Sequence, residues 1–268
     1  MKYKENKILE TNKTPEGIFR LLLNDPKNKN ALSNKMMMQL KENFLKASTD
    51  NSIKVIIIAA VGDVFCSGHN LKELTNARDN EDDGKSYFLD LFNLCSSLMQ
   101  MIISCPKPVI AEINGIATAA GCQLVASCDL AIASDSSKFA TPGVNIGLFC
   151  STPMVALSRN VSKKNSMKML LTGDMIDAAE AKRISLINDH VSGEKLNESV
   201  MSLAKKIATK PLSTVKIGKD AFYQQYEMNL AEAYEFTSKV MTENSLSENA
   251  KEGITSFLEK RDPIWKDD

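Results

Sequence analysis

Two segments of this chain combine glycine with small side chains at points where a buried strand should hand over to a helix. The first is Val64-Phe65-Cys66-Ser67-Gly68-His69-Asn70-Leu71-Lys72, and the second is Asn114-Gly115-Ile116-Ala117-Thr118-Ala119-Ala120-Gly121-Cys122-Gln123-Leu124. Small residues let a backbone approach a ligand closely and aim unpaired N–H groups at an anion, and the positive end of a following helix adds to that pull. The second segment has no Gly-Lys-Ser/Thr ending and no GxGxxG, so neither the phosphate-loop nor the dinucleotide fingerprint applies. Small residues also serve tight strand–helix packing, and the second segment alone does not decide between the two uses.

Groups that could move a proton or attack a carbon are few. The chain has two histidines, His69 inside the first segment and His190, which leaves a zinc site or a Ser-His-Asp triad short of members. The imidazole of His69 suits proton transfer near neutral pH, with loop packing as the alternative. His190, at the end of an expected strand, reads as structural. Six cysteines, at 66, 95, 105, 122, 128 and 150, lie in apolar or small-residue surroundings with no CxxC pair. They read as buried thiols of a reducing compartment. Cys122 and Cys150 would need a base or a depressed pKa to act as nucleophiles, and the sequence shows neither. Ser151, at the start of an expected helix, reads as an N-cap rather than a nucleophile.

The elements that must position these residues follow from hydrophobic periodicity. Residues 7–12 and 17–23 read as strands around Thr14-Pro15-Glu16-Gly17, and Asn24-Asp25-Pro26 ends the second. Ser33 caps a helix expected to run to about residue 48, with Met37, Leu40, Phe44 and Leu45 near helical spacing. Ile53 to Ala60 is an apolar run broken only by Lys54, as a strand buried on both faces of a parallel sheet requires. Val109–Ile113 and Asp129–Ala133 read as further buried strands. Before Val109, an acidic stretch at 80–84 reads as an exposed, mobile loop, and a helix is expected over 85–103. Helical patterning covers 151–172, a short helix starts near Ile176, and several amphipathic helices fill 194–260. The whole predicts an α/β core of strand–strand–helix units followed by a helical C-terminal part.

Composition narrows the partners. Of 268 residues 43% are hydrophobic, and 33 Lys+Arg balance 33 Asp+Glu, so nothing favours nucleic acid or an anionic membrane. No uninterrupted apolar run approaches the roughly 18 residues of a membrane span. The N-terminus, MKYKENKILE, shows no apolar signal region and no organelle presequence, so a cytoplasmic location is expected.

Along nearly the whole length, the chain resembles the crotonase superfamily of enoyl-CoA hydratases and isomerases. The residues that carry the resemblance are Asn24-Asp25-Pro26 with Asn30-Ala31-Leu32, FCSGHNLKEL, KPVIAEINGIATAAGCQLVASCDLAIAS, FATPGVNIGLF, LTGDMIDAAEAKRISLIN and EGITSFLEKRDPIW. The resemblance implies a spiral of ββα units over residues 1–195 and a helical trimerisation region over 196–268, with trimers often paired as hexamers. It implies no tightly bound cofactor, a coenzyme A thioester as substrate or ligand, and an oxyanion hole formed by the N–H groups of His69 and Ala120. Cys66, Ser67, Gly68, Leu71, Lys72, Gly121 and Pro142 would line the substrate. Phe257 and Lys260 would reach the nucleotide end, from a neighbouring subunit. A solvated helix face is the plain alternative for both lysines.

The same resemblance exposes substitutions. Hydratases of the family use two glutamates to activate water and exchange a proton at the α-carbon, work that needs groups titrating near neutrality. At those positions this chain has Gln123 and Gly143, and at a third position used by some isomerases and hydrolases it has Ser151. Asn70 stands where an Asp is common. The expectation is an acyl-CoA protein that stabilises a thioester oxyanion or enolate with an atypical proton relay, or else a non-catalytic acyl-CoA binder. A purely structural oligomer is the third option. Efficient hydration by the two-glutamate route is not expected.

Overall fold

The structure is a computed structural model that describes residues 7–266. The first six residues, on which part of the targeting expectation rests, lie outside that range. The chain opens with an antiparallel pair, β1 (Leu9–Lys13) and β2 (Ile18–Leu23), and then α1 (Asn34–Thr49). Ser33 caps α1 by accepting the N–H of Met36. The buried face of α1 is Met36, Met37, Leu40, Phe44 and Ala47, whereas Leu45, expected on it, is exposed.

Next come β3 (Val55–Ala60), β4 (Val64–Cys66), α2 (Leu71–Ala77), α3 (Lys85–Ser104), β5 (Val109–Ile113), β6 (Ile116–Thr118), α4 (Ala120–Ser127), β7 (Leu130–Ser134) and β8 (Lys138–Ala140). They are followed by α5 (Pro153–Asn160), α6 (Lys163–Thr172), β9 (Ile176–Asp177), α7 (Ala178–Arg183), β10 (Asp189–Val191), α8 (Gly193–Ala208), α9 (Leu212–Tyr226), α10 (Leu230–Ser245) and α11 (Glu248–Glu259). The larger sheet has the order β1-β2-β3-β5-β7-β10 and is parallel beyond its first pair. A second sheet, β4-β6-β8-β9, is assembled from strands of two or three residues. Its strands were too short to show a period, yet they make the spiral: β3, β5 and β7 each turn into a short strand of the second sheet before the chain moves on. It is the spiral of strand–strand–helix units that the resemblance implies.

Burial explains the apolar runs. Alternate residues of β3 face opposite sides, so Ile56 and Ile58 join one core while Val55, Ile57 and Ala59 join another, covered by Leu196, Val200, Ala204 and Ala208 of α8. Each of the Val, Leu and Ile side chains among them contributes roughly 1.5–3 kcal/mol by leaving water, and each Ala methyl less. The first of the four C-terminal helices thus closes the sheet's outer face.

Among the described residues one helix, α3, is long and apolar enough to cross a membrane by length and composition. That differs from the reading of uninterrupted runs, because Asp90, Asn93, Gln100 and several Ser residues punctuate it. In the fold its Leu91, Cys95, Leu98, Met99 and Ile102 form a buried face that packs on α1 and α4. The acidic stretch before it is exposed through Asp83, and Asp82 accepts the N–H groups of Gly84 and Ser86 at the helix entrance. The region 151–172 is two helices, separated at Val161-Ser162.

Candidate functional site

Parallel pairing of β4 with β6 sets the two small-residue loops side by side, with Val64 opposite Ile116 and Cys66 opposite Ala117. The Thr118 hydroxyl donates to the Ser67 carbonyl at 3.1 Å, and the Leu32 N–H donates to the Gly68 carbonyl at 2.8 Å. Gly68 has φ +93°, and a Cβ there would come within 2.9 Å of Ala119 Cβ and 3.2 Å of Ala120 N. A Cβ on Gly121 would meet the Cys66 carbonyl oxygen at 2.1 Å. Both glycines are therefore steric requirements of the approach between the loops.

Ala119, just before α4, has φ 51° and ψ −119°. For a residue with a Cβ this conformation costs about 1–3 kcal/mol, and such strain concentrates at sites where function demands it. Ala119 is held there by its N–H donating to the Ala140 carbonyl at 3.0 Å and its own carbonyl accepting the Gln123 N–H at 3.0 Å. Ala120 opens the helix, so its N–H has no acceptor within α4. Among the turn and loop hydrogen bonds of the described residues, neither the Ala120 N–H nor the His69 N–H is a donor. Two unspent N–H groups thus flank Gly68, at the positive end of a helix.

The His69 ring is largely buried, edge-on to Phe92 with centroids 5.5 Å apart. Its Nδ1 lies 3.4 Å from the Leu32 carbonyl oxygen, a long contact that suits a proton on Nδ1 and leaves Nε2 with a lone pair. Nε2 is buried without a partner, as is the Thr141 hydroxyl. Burial lowers the His69 pKa, with the Leu32 carbonyl and the Glu73 carboxylate acting in the opposite sense, so the ring favours its neutral form.

Glu73 was not singled out in the sequence. Its carboxylate accepts from the Asn34 N–H at 3.2 Å, from Asn70 Nδ2 at 3.4 Å and from the Tyr87 hydroxyl at 3.3 Å, tying α1, α2 and α3 together beside His69. Asn70 is the N-cap of α2 and accepts the Lys72 N–H. The Asn70-x-x-Glu73 spacing is that of a capping box and was the available signal.

Gln123 is 4% exposed, and its Oε1 takes the weak S–H of Cys95 at 3.8 Å. Gly143 follows Pro142 in the 3₁₀ turn Pro142–Ile146. A Cβ on Gly143 would lie 2.7 Å from the Leu148 carbonyl oxygen and 2.9 Å from Cys150 Sγ, so the segment after the turn fills the space a side chain would need. Ser151 is not an N-cap, contrary to expectation. Thr152 holds that place without a side-chain bond, and the Ser151 hydroxyl points back to the Phe149 carbonyl at 3.4 Å.

All six cysteines are free and buried. Burial pushes Cys66, Cys95 and Cys122 up to about 12 and also raises Cys105, Cys128 and Cys150, so none is a thiolate at neutral pH. Among the described residues no group of three or more His, Cys, Asp or Glu could hold a metal. A cavity of about 420 Å³ opens between α3, α4 and α5, with Gln123 in its wall and Arg159 and Glu227 also lining it.

The profile described as enoyl-CoA hydratase/isomerase matches residues 13–268. The chain belongs to the enoyl-CoA hydratase/isomerase family. It is 49% identical over 249 residues to the Xenopus laevis protein named enoyl-CoA hydratase domain-containing protein 3, mitochondrial, covering 93% of this chain and 83% of that one. The crystal structure of human enoyl coenzyme A hydratase domain-containing protein 3 superposes with a TM-score of 0.92 at 47% identity, over 97% of this chain and 100% of that one. An enoyl-CoA hydratase structure from Mycobacterium smegmatis gives a TM-score of 0.92 at 42% identity, over 96% and 98% of the two chains.

These names correct the cytoplasmic expectation: the Xenopus, rat, mouse, human and zebrafish relatives are all named mitochondrial. An N-terminus without visible presequence character was a poor guide to compartment.

Of the family's expected binding residues, Cys66, Ser67, Gly68, Gly121 and Pro142 lie within or beside the two loops and the 3₁₀ turn. Leu71 and Lys72 are exposed at the start of α2. Phe257 and Lys260 sit at the far end of α11, which packs on α10. Phe257 is 82% exposed, and Lys260 ends the helix with φ 55°.

Proposed function

We propose that this protein binds coenzyme A thioesters and stabilises a thioester oxyanion or enolate within fatty acyl-CoA metabolism. The observation that carries the proposal is the pair of unspent N–H groups on His69 and Ala120, flanking Gly68 and backed by the strained Ala119. Donors placed where negative charge develops are commonly worth about 3–4 kcal/mol each. The coenzyme A moiety runs past Leu71 and Lys72, while Phe257 and Lys260 serve the nucleotide end of a neighbouring subunit's ligand in a homotrimer or a dimer of trimers. The names of the relatives support a mitochondrial location.

The proton chemistry differs from the two-glutamate scheme. Gln123 orients but does not titrate, Gly143 has no room for a carboxylate, and Ser151 is tied to a carbonyl. The neutral His69 imidazole, with Nε2 unpartnered, is the group beside the loops suited to exchange a proton near neutrality. It would take a proton from the α-carbon while the electron pair moves onto the thioester oxygen held by the N–H groups. A non-catalytic acyl-CoA binder is the second reading, favoured by the loss of both family carboxylates.

Calorimetry with butyryl-CoA tests binding, and α-proton exchange in deuterated water, followed by mass spectrometry, tests chemistry. Binding with exchange that disappears in His69→Gln supports the catalytic reading. Binding without exchange supports the binder, and no binding removes both.

A further inference from the structure

We infer that the cavity beyond Gln123 selects acyl chains that end in a carboxylate, with Arg159 as the specificity-determining residue. This inference rests on the thioester reading and extends it to the far end of the acyl group. The cavity, about 420 Å³, runs between α3, α4 and α5. Gln123 and Ser127 line it from α4, one helical turn apart, so the chain has about 6 Å of helix to pass over. Met99 and Ile103 of α3 and Val155 of α5 make its walls apolar, as methylene groups require. At the inner end Gln123 is 4% exposed, and among the described residues its amide nitrogen has no protein partner. It is a neutral donor turned to the cavity.

Arg159 is at the last turn of α5, where the wall residues give way to charge. Its Nε donates to Glu227 Oε1 at 3.2 Å and one terminal nitrogen donates to the Val155 carbonyl at 3.2 Å. A guanidinium has five N–H donors in a fork that matches a carboxylate, so a planar pair of donors stays open for a ligand. Glu227 balances the guanidinium in the free protein. Its carboxylate and Arg159 are 65% and 47% exposed, and an ion pair that open to water is weak and exchangeable. A purely hydrocarbon tail would instead bring its terminal methyl up to a charged pair and gain nothing there.

Adipoyl-CoA and hexanoyl-CoA have the same chain length and differ only in the terminal carboxylate, so the ratio of their affinities, measured by calorimetry at low salt, reads the inference directly. Adipoyl-CoA should bind about tenfold more tightly or better, as expected for a charge-assisted bidentate pair. The ratio should fall to about one in Arg159→Gln and rise in Glu227→Gln, which frees the guanidinium. Equal affinity for the two esters in the natural protein, or a preference that survives Arg159→Gln, overturns the inference while leaving thioester binding intact. Failure of both esters to bind overturns the thioester reading and this inference together.

Discussion

At the scale of single residues, the absence of a side chain at position 143 is enforced by its neighbours. Leu148 O and Cys150 Sγ stand within 2.9 Å of where a Cβ would be, so Gly143→Glu should overpack the turn and cost about 1–3 kcal/mol, measured by urea denaturation. Restoring Gln123→Glu with Gly143→Glu should therefore yield an unstable protein rather than an efficient crotonyl-CoA hydratase. A double variant as stable as the natural chain would contradict this. His69 carries a second consequence. Its folded pKa is depressed below the ordinary 6.5 by burial, so the unfolded chain binds the proton first as pH falls. Stability from the neutral ring is present above about pH 6.5 and is lost as pH falls towards and through the depressed value, with a slope of at most about 1.4 kcal/mol per pH unit. Denaturation midpoints between pH 7.5 and 5 should thus fall more steeply for the natural protein than for His69→Gln, and parallel curves would refute a neutral buried imidazole.

At the scale of elements, α9 is pinned to the core by one cluster of polar contacts. Lys219 of α9 donates to the carbonyls of Ile102 and Lys107, each at 3.0 Å, and to Asp129 Oδ2 at 2.7 Å. Asp129 also accepts from the Tyr223 hydroxyl at 2.9 Å and from the Val109 N–H at 2.7 Å. The ammonium thus spends all three donors on the end of α3 and the edges of β5 and β7, and the Lys219 side chain is only 7% exposed. Lys219→Met would leave the Asp129 carboxylate without its cation and should destabilise by about 3–5 kcal/mol. Chemical denaturation reads that loss. A value near zero would show that α9 is held by apolar packing alone.

At the scale of the whole molecule, many large apolar side chains remain uncovered, and two groups of them bear on assembly. Ile146 ends the 3₁₀ turn and Leu148 and Phe149 follow it, and Leu230, Tyr234 and Met241 mark α10, which buries no residue of its own. Exposed apolar side chains grouped in this way suit a surface that another subunit covers. The proposed homotrimer predicts a mass of three or six chains of 29.5 kDa by light scattering, and Leu148→Glu with Phe149→Glu should shift it downwards. A monomer at micromolar concentration would count against the subunit-shared site for Phe257 and Lys260.

The sequence by itself determined the long elements, the two loops and the family. Val55–Ala60 reads as buried because every residue of it is apolar, α1 announces itself by Ser33, and Gly68 and Gly121 mark where backbones must nearly touch. Those are local signals, written in residue type and spacing. The individual strands of the second sheet left no periodic trace because they are two or three residues long, and Ser151 differs from the N-cap expectation because a hydroxyl two residues before a helix has several carbonyls within reach. Only the tertiary structure brought Asn34 and Tyr87 to Glu73, closed position 143 with Leu148 and Cys150, and placed Arg159 at the cavity. Each of these depends on contacts between segments whose proximity no local pattern encodes.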